Sequence, residues 1–197
     1  DDMRNLAAQL RDGMKAAGSG EYPILMELDP QPSQFNFVHQ TGGFVISDDY
    51  KQSGYNKPET VKAYQNFMDL FKDELLAPYT VLSETKGTDL FLSEKGAIVF
   101  IGSWKSSVLE NSSLGKAGKI KLVTMPKQDV SNVSVLGGLG YAIAANTKHP
   151  EEAWELVKFI TAKEQEQKWF EDARVTSARM DVSEEHEPLL NDKFAKA

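Results

Sequence analysis

The sequence predicts an α/β fold in which amphipathic helices alternate with short apolar strands. Two helices carry the clearest signal, because Pro58 and Pro150 are each followed by glutamate and by apolar residues at helical spacing. Residues 97–101 are a third observation, since they form a continuous apolar run between Gly96 and Gly102, which is typical of a buried strand. A chain of 197 residues, 41% of them hydrophobic, can form one domain or one and a half.

The composition excludes several classes of protein. The formal net charge is −7, from 29 acidic and 22 basic residues, which argues against nucleic acid or anionic lipid as a partner. Cysteine is absent, so thiol catalysis, disulfides and thiolate metal sites are excluded. No apolar run reaches the roughly 18 residues that predict a membrane span. The first residues lack the basic and apolar pattern of an export leader, so no signal peptide is expected among them.

Apolar spacing and turn residues predict the other elements. Each proline-led helix is expected to bury one stripe. These stripes are Val61, Tyr64, Met68, Phe71 and Leu75 in the first helix, and Ala153, Leu156, Val157 and Ile160 in the second. Further helices are predicted over residues 2–16, 33–40, 88–95, 106–113, 162–170 and 187–197. Strands are predicted over residues 22–27, 97–101, 119–125 and 133–145, of which the last is the longest.

The most informative stretch covers residues 91–104. Gly96 lies where a helix would end in a left-handed residue, a conformation that glycine adopts at little cost. The strand that follows is broken at Gly102, and Trp104 comes directly after its carboxyl end. Ligands of open α/β sheets bind outside the carboxyl ends of the strands. Trp104 is therefore predicted to be either a lid on the core or a flat platform for a ligand.

Several segments resemble one protein family. Residues 91–104 resemble the F-x-x-G-K-A-A-M-x-x-x-G-x-W region of the extracellular sugar-binding proteins of ABC importers, the group that includes maltose-binding protein. The other matching segments are residues 40–44 (QTGGF), 56–61 (NKPETV), 137–144 (GGLGYAIA) and 150–160 (PEEAWELVKFI). They occur in the order found in the family, which makes the set more specific than any one motif.

The resemblance implies a two-lobed fold, the type II fold of periplasmic binding proteins, of which this chain represents the C-terminal half. Residues 1–136 would belong to the C-terminal lobe. Residues 137–171 would return to the N-terminal lobe, and residues 172–197 would make the last crossing back.

The resemblance also implies a function. The protein would be the receptor of an ABC importer, would capture a sugar or oligosaccharide in a cleft between its lobes, and would deliver it to the permease subunits. It would act as a monomer outside the cytoplasm, in the periplasm or as a lipoprotein anchored at the outer face of the cell membrane. No cofactor, metal or nucleic acid is expected.

Candidate ligand-binding residues come from the same resemblance. Trp104 matches the tryptophan that stacks on a sugar ring in the family, and Arg179 lies near the last crossing between lobes. Gly137 and Gly138 would let backbone amides approach a ligand, and Gln31 could exchange hydrogen bonds with hydroxyl groups. Each residue also has a simpler interpretation. Trp104 could pack against the core, Gly137 and Gly138 could lie in a tightly packed strand, and the side chains of Gln31 and Arg179 could lie in solvent.

Two other functions are compatible with the same fold. A glycoside-active enzyme would share the aromatic platform but needs two carboxylates that face each other across the substrate. The pairs Asp48–Asp49 and Asp73–Glu74 are adjacent in sequence, and His186 lies among glutamates without the spacing of paired metal ligands. An interaction module without any ligand is the second alternative.

Overall fold

The computed structural model describes residues 2–28 and 31–184, with the side chains of residues 31–33 outside this description. The chain divides into two compact units. Unit 1 comprises the described residues up to Ile101 together with Thr124–Gly137. Unit 2 comprises Gly102–Val123 together with the described residues from Gly138 onward. The last predicted helix, residues 187–197, lies outside the described residues.

The described part of unit 1 has two strands separated by four consecutive helices, so the predicted alternation of helix and strand is only partly formed. Its elements are α1 (Asp2–Ala16), β1 (Tyr22–Met26), α2 (Gln31–Gln40), α3 (Pro58–Lys72), α4 (Tyr79–Glu84), α5 (Gly87–Leu92) and β2 (Gly96–Phe100).

The described part of unit 2 is helical. Its elements are a 3₁₀ turn (Ser103–Lys105), α6 (Ser106–Asn111), α7 (Ser113–Lys116), α8 (Pro150–Ile160) and α9 (Lys163–Ala173).

Strand β1 is the centre of unit 1. It pairs in parallel with β2, in the register that places Ile24 opposite Ile98. On its other edge the Ile24 amide donates to the Leu75 carbonyl, and the Ala77 amide donates to the Ile24 carbonyl, each over 3.0 Å. Four of its five residues are buried. Because both edges are paired, β1 behaves as an interior strand although the sheet itself has two members.

The core of unit 1 packs the helices against β1. Phe67 on α3 makes edge-to-face contacts with Phe37 and Phe71, at ring-centroid distances of 5.3 and 5.5 Å. The buried apolar residues are Ala7, Ile24, Leu25, Met26, Phe37, Val38, Ala63, Phe67, Leu70, Leu75, Leu76, Ala77 and Leu82.

Helix α3 begins at Pro58 as predicted. Of its predicted stripe, Leu75 is buried and Tyr64 and Phe71 are partly buried, but Val61 and Met68 are exposed. The buried residues are Thr60, Ala63, Phe67 and Leu70, while Met68 is 58% exposed. Gly43 lies beside the helix, where an added Cβ would come within 2.5 Å of the Thr60 hydroxyl. A loop this close to the first turn of the helix leaves little room beside Thr60, which turns inward.

The left-handed residue before β2 is Glu94, with φ 59°, so the prediction for Gly96 is wrong. Gly96 instead opens the strand. A Cβ there would come within 2.4 Å of the Leu25 side chain of β1, so this glycine is required by packing between the two strands.

The strands predicted over residues 119–125 and 133–145 are not formed in the described structure. A strand needs a neighbouring backbone to satisfy its amide and carbonyl groups, and no ladder partner lies beside either segment among the described residues. Leu136 and Leu139 are fully exposed. The apolar pattern of these segments predicts buried side chains, but no element among the described residues buries them.

Helix α8 also begins at its proline as predicted, yet none of its residues is buried. Leu156, which the stripe places inward, is exposed, and so are Trp154 and Phe159. Ala153, Val157 and Ile160 of the predicted stripe are partly buried, so the described residues of unit 2 cover only part of the apolar face of α8.

Basic residues of α1 hold the turn that follows α3. Arg4 forms an ion pair with Asp73, and Lys15 forms one with Glu74. The Arg11 guanidinium donates to the Asp73 carbonyl over 2.7 Å, which satisfies an acceptor at the end of the helix. The hydrogen bond from Lys15 and the positive charges of Lys15 and Arg11 lower the pKa of Glu74.

Two glycines in unit 1 predict opposite effects of the same substitution. Gly13 lies in α1 with no atom within 4 Å of an added Cβ, so Gly13→Ala should raise the free energy of unfolding by about 0.5–1 kcal/mol. A Cβ at Gly87 would lie 2.8 Å from the Met26 backbone, so Gly87→Ala should lower the free energy of unfolding by about 1–3 kcal/mol. Urea denaturation measures both, and equal effects would contradict the packing described.

The ion pair on Glu74 predicts a pH-dependent contribution to stability. Its folded pKa is lowered, so the contribution is present above the unfolded pKa of about 4.3 and is lost as the pH falls through the folded value. Lys15→Met should lower the melting temperature at neutral pH and have little effect in acid. High salt should also reduce the difference. Lys51→Met, in an exposed loop, is the control, and a Lys15 effect independent of pH would contradict the assignment.

Candidate ligand-binding site

Trp104 lies on the 3₁₀ turn that follows β2 in the chain, and its side chain is 46% exposed. The Lys105 amide donates to the Gly102 carbonyl over 3.1 Å and closes the turn. The indole is neither enclosed in a core nor free of the backbone. A half-exposed indole on a hydrogen-bonded turn is compatible with the platform, which stays a prediction.

The turn is supported by contacts between α6 and the end of α9. The Ser107 hydroxyl donates to the Asp172 carbonyl over 3.0 Å. The Arg174 guanidinium donates to the Glu110 carboxylate over 3.3 Å and to the Glu171 carbonyl over 2.9 Å. Because α6 begins directly after the turn, these bonds fix the backbone that carries Trp104.

Gly137 and Gly138 are exposed, and an added Cβ at either would meet no atom within 4 Å. The alternative interpretation, a tightly packed strand, is therefore wrong for the described structure. The open space is compatible with a close approach of another molecule to the backbone. Gly137 ends unit 1, and Gly138 begins the second segment of unit 2.

Arg179 is already engaged by neighbouring groups. Its Nε and one terminal nitrogen donate to the two Asp181 carboxylate oxygens, each over 3.0 Å. Its other terminal nitrogen lies 3.4 Å from the Thr161 carbonyl. The hydrogen bond to Asp181 raises the pKa of Arg179 and lowers that of Asp181. A ligand at this position would have to share or replace these bonds.

Gln31 is the first residue of α2, and its side chain lies outside the described part of the structure. Gln40, at the other end of the helix, is almost completely buried. Its side-chain amide nitrogen donates to the Val133 carbonyl over 2.8 Å. Its main-chain carbonyl accepts from the Val130 amide over 3.0 Å. Gln40 therefore serves the backbone of the protein.

Residues 128–135, here called the strap, are fixed to α2 and α3 by side chains. The Val135 amide donates to the Asn36 side-chain oxygen over 2.6 Å, and Lys62 pairs with Asp129 over 2.6 Å. The strap leads to Gly137. Asn36 and Gln40 are four residues apart, so both lie on one side of α2. This spacing is the sequence signal that could have predicted a segment bound to that side of the helix.

Glu27 is a further polar group that the sequence analysis missed. It follows the carboxyl end of β1, and its carboxylate accepts a hydrogen bond from the buried hydroxyl of Thr88. Ligands of α/β folds bind at this end of the strands. A carboxylate directly after a short apolar strand is the pattern that could have identified it.

The five predicted residues are divided between the units. Gln31 and Gly137 belong to unit 1, and Trp104, Gly138 and Arg179 belong to unit 2.

Residues 2–28 and 31–184 contain no group of three or more acidic or histidine side chains arranged to hold a metal ion. Among the helices of this same part of the chain, none has the length and apolar character to span a membrane.

Solved structures of binding proteins share the fold. An ABC transporter solute-binding protein from Thermotoga lettingae TMO, bound with α-D-tagatose, matches with a TM-score of 0.78 at 23% identity, over 98% of this chain and 50% of that chain. The GacH receptor of Streptomyces glaucescens, solved unliganded and with acarbose, matches with a TM-score of 0.78 at 17% identity, over 92% and 47%. The fold is thus the α/β type II fold of periplasmic binding proteins, as predicted.

Sequence similarity identifies the family. The family of bacterial extracellular solute-binding proteins matches residues 3–196. A probable ABC transporter-binding protein of Deinococcus radiodurans is 28% identical over 135 residues, which are 67% of this chain and 31% of that protein. The chain belongs to the bacterial extracellular solute-binding proteins, which are extracytoplasmic, and the resemblance drawn from the motifs is confirmed. It spans about half the length of the matched structures.

The strap predicts a structural role for Gln40. Gln40→Ala should lower the free energy of unfolding by about 0.5–1.5 kcal/mol, because the Val133 carbonyl loses a part-buried hydrogen bond. Hydrogen exchange at the Val130 and Val135 amides should become faster. Gln65→Ala, on the exposed side of α3, is the matched control and should change neither quantity. Unchanged exchange in Gln40→Ala would show that the amide does not hold the strap.

Proposed function

We propose that this chain is part of the receptor of an ABC-type importer and binds a sugar or oligosaccharide. The observation that carries the proposal is a half-exposed indole, Trp104, on a hydrogen-bonded turn after β2, in a chain of the solute-binding family. Apolar faces of sugar rings pack against aromatic rings through buried area and geometry. The ligands of the two matched structures, α-D-tagatose and acarbose, support this class of ligand.

The other residues would bind the polar edges of the sugar. Gly137 and Gly138 leave their backbone open to a close approach, and Gln31 and Arg179 would supply donors to hydroxyl groups. Glu27 would accept hydrogen bonds from hydroxyl groups at the carboxyl end of β1, with Thr88 holding its carboxylate.

The assignment of lobes remains part of the proposal. Residues 1–136 would form the C-terminal lobe, residues 137–171 would return to the N-terminal lobe, and residues 172–197 would cross back. The exposed apolar residues of α8 and of residues 136–143 support this assignment, because such side chains are normally covered in a complete fold.

Binding would close the lobes of the complete receptor by a population shift, driven by contacts present only in the closed state. The permease subunits would recognise that state. The receptor would act as a monomer, in the periplasm or through a lipid anchor at the outer face of the membrane.

The proposal includes no catalytic step. Asp73 and Glu74 are paired with Arg4 and Lys15 of α1, and Asp49 accepts hydrogen bonds from Ser47 and from the Lys51 amide. These carboxylates serve local structure, which disfavours a role as facing acid and base.

The test combines a ligand screen with one substitution. Calorimetry and thermal melting with D-tagatose, acarbose, maltose and maltotetraose should identify a ligand that raises the melting temperature. Trp104→Ala should weaken its affinity by about tenfold. Trp169→Ala removes an equally exposed indole from α9 and is the control. Equal affinities of wild type and Trp104→Ala would contradict the platform, and sugar products after incubation would favour the enzyme.

A further inference from the structure

Gly102 lies directly against the ring of Trp104. The three heavy atoms nearest to an ideal Cβ at Gly102 all belong to the six-membered ring of the indole: Cζ3 at 1.9 Å, Cη2 at 2.1 Å and Cε3 at 2.3 Å. Non-bonded carbon atoms do not approach below about 3.5 Å without repulsion. A side chain at position 102 and the present orientation of Trp104 therefore cannot coexist.

The backbone at position 102 does not itself require glycine. Its φ of −85° and ψ of 159° lie in the extended region, which any L-amino acid adopts. Glycine is usually selected for a left-handed conformation or for a close approach. Only the close approach applies here, and the approaching group is the indole.

Exposure alone does not distinguish Trp104 from the other tryptophans. Trp104, Trp154 and Trp169 are 46%, 50% and 52% exposed. The glycine contact does distinguish it, because one side of its ring lies on the Gly102 backbone. The turn that joins them is closed by the hydrogen bond from the Lys105 amide to the Gly102 carbonyl.

We propose that Gly102 is a positioning residue that sets the orientation of the Trp104 indole, so that the ring offers one face to a ligand and rests its other face on the backbone. This inference rests on the proposed function where it concerns the ligand. A one-sided platform binds a single ring by stacking, and its orientation is set before the ligand arrives. Such pre-organisation improves affinity because less side-chain freedom is lost on binding.

A double-mutant cycle tests the contact without any ligand. Gly102→Ala should lower the free energy of unfolding or force the indole to a new rotamer. The same substitution in a Trp104→Ala background should cost much less, since the atoms nearest to the new Cβ are gone. Equal costs in the two backgrounds, together with an unchanged Trp104 emission spectrum in Gly102→Ala, would overturn the proposal. If Gly102→Ala alone fails to fold, recovery of folding in the double variant supports it and failure of both overturns it.

Spectroscopy follows the indole itself. In a protein with Trp154→Phe and Trp169→Phe, Trp104 is the sole tryptophan. Gly102→Ala in this protein should change the emission maximum, the acrylamide quenching constant and the near-ultraviolet circular dichroism. Gly140→Ala is the control, because no atom lies within 4 Å of a Cβ there. Signals equal to those of the control would overturn the proposal.

The ligand arm uses whichever sugar of the panel binds the wild-type protein. Gly102→Ala should weaken its affinity by roughly tenfold, about the effect of removing the indole, while Gly140→Ala should not. If no sugar binds the wild type, the proposed function fails, and the cycle and the spectra still decide the role of Gly102. A normal affinity for Gly102→Ala would overturn the positioning role.

Discussion

Unit 1 depends on the enclosure of β1. Its backbone is paired on one edge with β2 and on the other with Leu75 and Ala77, and its side chains face helices on both sides. A strand in this position cannot move without exposing amide groups and apolar side chains together. Its register with β2 also determines where β2 ends. Strand β2 ends at Phe100, so Gly102 and Trp104 lie two and four residues beyond its last residue.

The sequence predicted the elements whose limits are set by local chemistry. Helices α3 and α8 begin at Pro58 and Pro150 because proline is favoured in the first turn, whatever the tertiary context. Strand β2 was predicted because its apolar run is short and bounded. The left-handed residue lies two positions earlier than predicted, because Glu94 takes that conformation where the Lys95 amide donates to the Leu90 carbonyl at the end of α5.

The parts that sequence could not predict depend on distant neighbours. Periodicity gave the spacing of the buried residues of α3, but not the close approach of Gly43 to Thr60. The β-type pattern of residues 133–145 indicates burial, but not the partner that provides it. The same holds for the site. Trp104 was identified from its place in a motif, whereas the engagement of Gln40 by the strap and of Arg179 by Asp181 required coordinates.

An aromatic platform is defined by how its ring is held as well as by its exposure. A half-exposed indole with free rotamers would lose conformational entropy whenever a ligand stacked on it. Here the ring lies on a glycine, the turn is closed by a backbone hydrogen bond, and α6 is tied to the end of α9 through Ser107 and Glu110. Each contact removes freedom before binding. In the proposed platform the opposite face of the ring would stack on the ligand. The restriction of the indole before binding is what would separate a binding surface from an incompletely buried core residue.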